Sequence, residues 1–301
     1  MRLARAEIGG TVTAAILDGD GALVPFAREG VEVPVGGAQD ALVATAMARA
    51  LPAAVADPVP LTGAGLLAPV GRPPSVRDFY AFEAHVATAR RGRGQEVDPD
   101  WYELPIFYFS NPASIVGPGA VVIAPPGCER LDYELEVAAV VGREVADLAA
   151  ADWLDAVAGF TVLNDWSARD LQAREMRQML GPAKGKDFAT SLGPWLVTPD
   201  ELPGVETGRP EAVMVARVDG VERSRGQLAD IHHAWGTLLE HAARGTRLVP
   251  GDVVGSGTVG TGCILELALT HGSETEPWLA PGQIVELEVE GLGVLRNTIG
   301  G

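Results

Sequence analysis

Three carboxylates, Glu134, Glu136 and Asp165, fall where strand geometry would aim them at one point. The run from Asp132 to Gly142 has the apolar density of a buried strand. Glu134 and Glu136, two apart, leave such a strand on one face. A second apolar run, Gly159 to Asn164, delivers Asp165 at its C-terminal end. Carboxylates gathered in an apolar core repel one another, and each is costly to bury unpaired. A hard divalent cation removes both problems, because magnesium and calcium prefer all-oxygen ligands. The spacing therefore predicts a metal site, and Mg2+, Ca2+ and Mn2+ all suit it.

Residues able to handle protons and oxyanions surround that prediction in the sequence. Ser75 is a good N-cap, and Phe79, Phe82 and Val86 recur at helical spacing, which predicts a helix. On it Asp78 and His85, seven apart, would share a face. Asp78 would add a fourth oxygen donor, and His85 would stand about 10 Å further along the axis, beside the metal. A neutral imidazole there suits the deprotonation of water. The alternative is a first-turn carboxylate favoured by the helix dipole and a surface histidine. Ser167 can cap a second helix, in which Asp165, Arg169 and Gln172 are spaced four and three apart on one face. Arg169 and Gln172 can hold an oxyanion or carboxylate, or pair within the helix. Lys186, in a Gly-flanked loop, offers a compact cation or a solvated one. Glu266 is a lone carboxylate in a predicted apolar strand, where it needs a partner such as histidine, unless that strand is an edge facing water.

These side chains need a scaffold, and the rest of the chain supplies the pattern for one. The 301 residues are 47% apolar and 21% charged, ordinary values for a globular protein with an ample core. Strand-like runs dominate after Pro118, with helices between them near Ala151–Ala156, Ala168–Leu180 and Ile231–Ala243. The Asp219-Gly220 pair marks a hairpin. The expected fold class is α+β and β-rich, a large rolled or barrel-like sheet with mostly antiparallel strands. Residues 1–70 read as a small N-terminal accessory domain containing strands, and 71–301 as the catalytic domain. No dinucleotide or Walker loop precedes a helix. The glycines from Gly255 to Gly262 fit a tight loop lining a cavity. A net charge of −17 argues against nucleic acid and against an anionic membrane face. No apolar run is long enough to span a bilayer, and the N-terminus lacks a signal-peptide core, so a cytoplasmic location is expected. Cys128 and Cys263 are too few for a disulfide framework and are expected to fill core volume.

Taken in order, these segments resemble the fumarylacetoacetate hydrolase family. The resemblance is carried by Asp78-Phe79-Tyr80 with His85, by Glu134-Leu135-Glu136, and by Asn164-Asp165-Trp166-Ser167-Ala168-Arg169-Asp170-Leu171-Gln172. It continues through Gly185-Lys186-Asp187-Phe188, Gly193-Pro194-Trp195, Gly255-Ser256-Gly257-Thr258 and Gly262-Cys263 with Glu266. The Asn164-to-Asp170 block is its most specific element. The match spans roughly 75–299. It implies a mixed β-roll, commonly a homodimer, with Asp78, Glu134, Glu136 and Asp165 holding the divalent ion. It also implies that His85 paired with Glu266 activates water, that Arg169, Gln172 and Lys186 stabilise developing negative charge, and that Tyr80, Tyr108 and Thr258 contact substrate.

The implied reaction is hydrolysis of a C–C bond in a small carboxylated 1,3-diketone, such as fumarylacetoacetate or an acylpyruvate. Water deprotonated by His85 adds to a carbonyl that the cation polarises, and cleavage expels an enolate. Decarboxylation of an oxaloacetate-type acid, isomerisation or hydration of a 2-hydroxy-dienoate, and non-catalytic binding of a small acid are the alternatives. The chain departs from eukaryotic fumarylacetoacetases after Tyr108, where Phe109-Ser110-Asn111 replaces His, Gly and Arg. Arg90, Arg91 and Arg93 compete for the role of the lid arginine. They can meet a distal carboxylate or merely compensate the helix dipole.

Overall fold

Two strands with no water-facing side form the centre of the molecule. In Leu135–Val141 and Val157–Asp165 every residue is buried, and the two pair antiparallel with Val137 opposite Val162. The computed structural model describes residues 1–28 and 37–301. Among them, a twelve-stranded sheet extends from this pair in both directions. On one side lie Thr190–Val197, Arg2–Ile8, Thr11–Leu17, Ala22–Arg28 and Val59–Pro60. On the other lie Val253–Gly255, then Val76–Phe79 in parallel with it, and Phe107–Ser110 at the edge.

Side-chain alternation divides the core between the two faces. Val137, Ala139 and Val141 pack toward a five-stranded sheet that includes Val213–Val218, Ile284–Val289 and Gly293–Ile299, and toward the helix Trp235–Ala243. Ala138 and Val140 pack with Leu42, Val43 and Ala46 of the helix Gly37–Ala48. The Asp219-Gly220 turn joins Val213–Val218 to Val221–Gln227, as the sequence predicts, with both turn residues at positive φ. The architecture is sheet-rich α+β, the expected class. No helix among the described residues is long and apolar enough to cross a membrane.

Two elements differ from expectation. Val76–Phe79 is a strand, and the helix that carries His85 starts later, at Glu83–Arg91. Ser75 caps nothing: its hydroxyl donates to Asp252 Oδ1 at 2.6 Å and accepts from Arg77 Nη1. Polar Arg77 and Asp78 are buried within this strand, which erases the alternation that would have announced it. The second difference is Ile264–His271, a helix where an apolar strand was expected. Its N-terminus is capped by a residue remote in sequence, because Asp132 accepts the backbone N–H groups of Ile264 and Leu265 at 2.7 and 3.0 Å.

Candidate active site

Strand register brings the carboxylates together. Asp78 lies opposite Gly255, Gly255 opposite Ala138, and Ala138 shares a face with Glu136 two residues back. Across the central pair Glu136 faces Leu163, so Asp165 projects from that same face one step further on. One oxygen from each of Asp78, Glu136 and Asp165 can be chosen so that all three lie within 4.8 Å of one another, and all three residues are buried. Gly255 is what lets Asp78 lean over the sheet, since a Cβ at that position would overlap Asp78 Oδ1. The backbone N–H of Gly257 donates to that oxygen at 3.3 Å.

This trio is electrostatically unfinished. Burial pushes the Asp78 carboxyl well above the ordinary carboxylate range, and neighbouring Asp165 pushes it further. Burial, then the adjacent Asp78, does the same to Glu136. Asp165 is raised by burial despite the ammonium of Lys186 against it. Glu136 Oε2 and Asp165 Oδ1 are buried without a hydrogen-bond partner. Orphaned oxygens in a three-carboxylate cluster are the donor set a hard divalent cation takes, so the residues fit the metal that the sequence predicts.

Glu134 stands apart from the trio. One of its oxygens accepts from Arg169 Nη2 at 2.8 Å and the other from Lys186 Nζ at 2.5 Å. Burial alone would raise its pKa, but Lys186 and Arg169 outweigh that and hold it well below the usual range. Lys186 is buried and bridges Glu134 to Asp165, so it belongs to the site and not to a solvated loop. Arg169 and Gln172 do share a helix face, on Arg169–Met176, and Arg169 Nη1 donates to Gln172 Oε1 at 3.1 Å. Asp165, however, ends the preceding strand, and Ser167 donates to the Asp165 carbonyl instead of capping the helix.

His85 and Glu266 meet, from two different helices, through Nδ1 and Oε1. The other Glu266 oxygen accepts the Thr261 backbone N–H at 3.0 Å, and the Cys263 thiol lies 3.9 Å from Oε1. With Nδ1 committed to the carboxylate, Nε2 is the free ring nitrogen. Tyr80 stacks edge-on against the His85 ring, centroids 5.2 Å apart, and burial raises its phenol to about 12. Tyr108 donates to Asp165 Oδ2 at 2.6 Å, and Thr258 to Glu136 Oε1 at 3.1 Å. The trio, Glu134, His85, Arg169, Gln172, Lys186 and the two tyrosines all line one cavity of about 220 Å³ with Thr258, and Glu266 stands directly behind His85.

One residue escaped the sequence reading. Asp132 is fully buried, accepts from Arg169 Nε at 2.8 Å, and caps the helix that carries Glu266. It thereby aims two site residues at once. Its position two residues before Glu134, on the same side of the chain, was the available signal.

A family model described as fumarylacetoacetate (FAA) hydrolase C-terminal matches residues 75–300. The chain belongs to the fumarylacetoacetate hydrolase family. It is 30% identical to a fumarylacetoacetase of Oryza sativa subsp. japonica, over 76% of this chain and 66% of the rice protein. It is also 30% identical to an oxaloacetate tautomerase of Bacillus subtilis, over 67% of this chain and 64% of that protein. The chain thus spans about two thirds of the length of these relatives. Among solved structures, a 5-carboxymethyl-2-hydroxymuconate delta-isomerase from Mycobacterium smegmatis aligns with TM-score 0.72 at 27% identity, covering 100% of this chain and 99% of that one. Proteins named as a fumarylacetoacetase, an oxaloacetate tautomerase and an isomerase are thus all similar to this chain.

Proposed function

We propose that the protein hydrolyses a C–C bond in a small carboxylated 1,3-diketone, with a divalent cation held by Asp78, Glu136 and Asp165 and by Glu134, whose oxygens each keep a lone pair beside the one that Arg169 or Lys186 uses. A cation bound there would polarise the substrate carbonyls as a Lewis acid. His85 Nε2 takes a proton from water while Glu266 stabilises the imidazolium that results. The hydroxide oxygen bonds to the carbonyl carbon, the C–C bond breaks, and its electron pair leaves as an enolate. Arg169, Gln172 and Lys186 donate to the oxygens on which negative charge grows. The imidazolium then returns its proton to the departing carbon. Tyr80, Tyr108 and Thr258 orient the substrate across the cavity.

What carries this reading is the His85–Glu266 pair facing a three-carboxylate cluster across one cavity. A base held by its own carboxylate is what activation of water requires, and it would be superfluous for binding alone. The oxaloacetate tautomerase relative favours one second reading, in which the same base only moves a proton between carbon and oxygen of a 2-oxo acid. Steady-state assays on acetopyruvate and oxaloacetate, with added magnesium, separate the two. Hydrolysis of acetopyruvate that collapses in His85→Ala supports the proposal. Turnover of oxaloacetate with no hydrolysis of acetopyruvate would discard it, and tautomerisation lost in His85→Ala would then support the second reading. We further propose a cytoplasmic homodimer in which residues 1–70 form an accessory unit and 71–301 carry the reaction.

A further inference from the structure

The site adjoins a second, larger trough of about 730 Å³, and the lining of that trough runs against the composition of the chain. Acidic residues outnumber basic ones 40 to 23 in the sequence, yet the trough is lined by five arginines, Arg90, Arg93, Arg130, Arg169 and Arg177, and by no Asp or Glu. Arg169 is already paired with Asp132 and Glu134. The other four make no ion pair among the described residues. Arg90 has only the Gln95 amide at 3.4 Å, and the Arg130 guanidinium sits over the Trp278 ring, 6.0 Å from its centroid. Two acids of the neighbouring helix are turned to other work, and Glu129 and Glu96, though near in sequence, do not line the trough. Asp170 accepts the Glu129 backbone N–H, and Glu175 accepts three from Ala183, Lys184 and Gly185. Arg90, Arg93 and Arg169 line both the trough and the inner cavity, so the two adjoin along these side chains.

We infer that this trough is a capture vestibule for anions, in which Arg130 and Arg177 draw a carboxylate ligand out of solution and hand it inward past Arg90 and Arg93. The inference rests on the proposed function only in taking the ligand as a carboxylate. A protein of net charge −17 repels such a ligand at long range, and the ligand's destination is itself lined with carboxylates. Unpaired guanidinium groups at the entrance reverse the local field where it governs encounter. Their planar forks suit a carboxylate without holding it as a buried pair would. Arg130 and Arg177 are exposed, so their effect is on capture and is screened by salt.

Oxalate, a dianion that is not hydrolysed, is the probe. Its affinity for the magnesium-loaded protein is measured by titration calorimetry from about 20 to about 300 mM salt. Arg130→Gln with Arg177→Gln should weaken low-salt binding by about tenfold and flatten the salt dependence. Arg244→Gln with Arg247→Gln removes the same charge from exposed arginines that line neither cavity, and should leave binding and its salt slope as in the unaltered protein. With acetopyruvate, the vestibule pair should lower kcat/KM and spare kcat. Equal weakening by both pairs, or oxalate binding indifferent to salt, overturns the inference. Salt-sensitive oxalate binding without turnover of any diketone would instead remove the proposed reaction and leave the vestibule standing. Should the double variant not fold, Arg177→Gln alone reads the same slope.

Discussion

At the residue scale, the reading turns on groups that exist only to place others. Gly255 leaves the space that Asp78 fills, so Gly255→Ala should displace that carboxylate from the trio. The expected result is magnesium affinity weaker by roughly tenfold or more, the range seen when support for a ligand is lost, measured by titration calorimetry. Unchanged affinity would mean that Asp78 does not need that space. Asp132→Asn removes a charge buried against Arg169 and weakens the cap on Ile264–His271. Breaking a buried pair from one side costs about 3 kcal/mol, to be read from urea unfolding. Glu136 and Asp165 were visible in the sequence as carboxylates carried by buried apolar runs, whereas Asp78 was read onto a helix and lies on the strand Val76–Phe79. The ion pairs of Glu134 were not visible, since Lys186 and Arg169 reach it from segments 52 and 35 residues away.

At the scale of elements, the misread segments have physical causes. Val76–Phe79 buries two charged side chains that meet partners far along the chain, Asp252 for Arg77 and Gly257 for Asp78. No local pattern reports such partners, while Phe79, Phe82 and Val86 imitate a helical stripe. Ile264–His271 is short and apolar, the case in which periodicity cannot separate strand from helix, and its cap comes from Asp132. His85 reached the site despite the wrong boundary, because the true helix still points it at Glu266. The short helix Asp100–Glu103 supports that geometry. Trp101 Nε1 donates to the Tyr80 carbonyl at 2.8 Å, and the Trp101 carbonyl meets His233 Nε2 at 2.8 Å. Trp101→Phe keeps an aromatic ring, leaves part of the indole's space empty and orphans the Tyr80 carbonyl, so stability should fall by at least about 1–3 kcal/mol in denaturant unfolding. A wild-type midpoint would show that the carbonyl finds another donor.

Over the whole molecule, a large twisted sheet holds a negative cluster that its own fold does not neutralise. Unfolded Asp and Glu ionise near about pH 4, whereas burial and mutual repulsion raise Asp78 and Glu136 in the folded protein. Between those values the folded state carries more protons than the unfolded one, so stability falls as pH rises through that window. A cation bound to the trio would replace those protons. Chelator-treated protein should therefore melt lower at about pH 8 than at about pH 5, and the gain in Tm on adding magnesium should be larger at the higher pH. A gain independent of pH would place the cation elsewhere. The rolled α+β class and the family were legible in the sequence, because strand-length apolar runs and short polar blocks such as Asn164 to Asp170 follow one another along the chain. The parallel pairing of Val76–Phe79 with Val253–Gly255 was not, since it joins segments about 177 residues apart, a separation beyond any local signal.

The central claim is that the carboxylate trio and the His85–Glu266 pair act together on one substrate. Its most direct test follows the enol absorbance of acetopyruvate with protein stripped of metal, then resupplied with magnesium, beside His85→Ala treated alike. The account predicts no turnover in the stripped protein, recovery on resupply, and a loss of about 10²–10⁴-fold in the variant. Full activity in the stripped protein, or a His85→Ala variant as fast as the unaltered one, would contradict it.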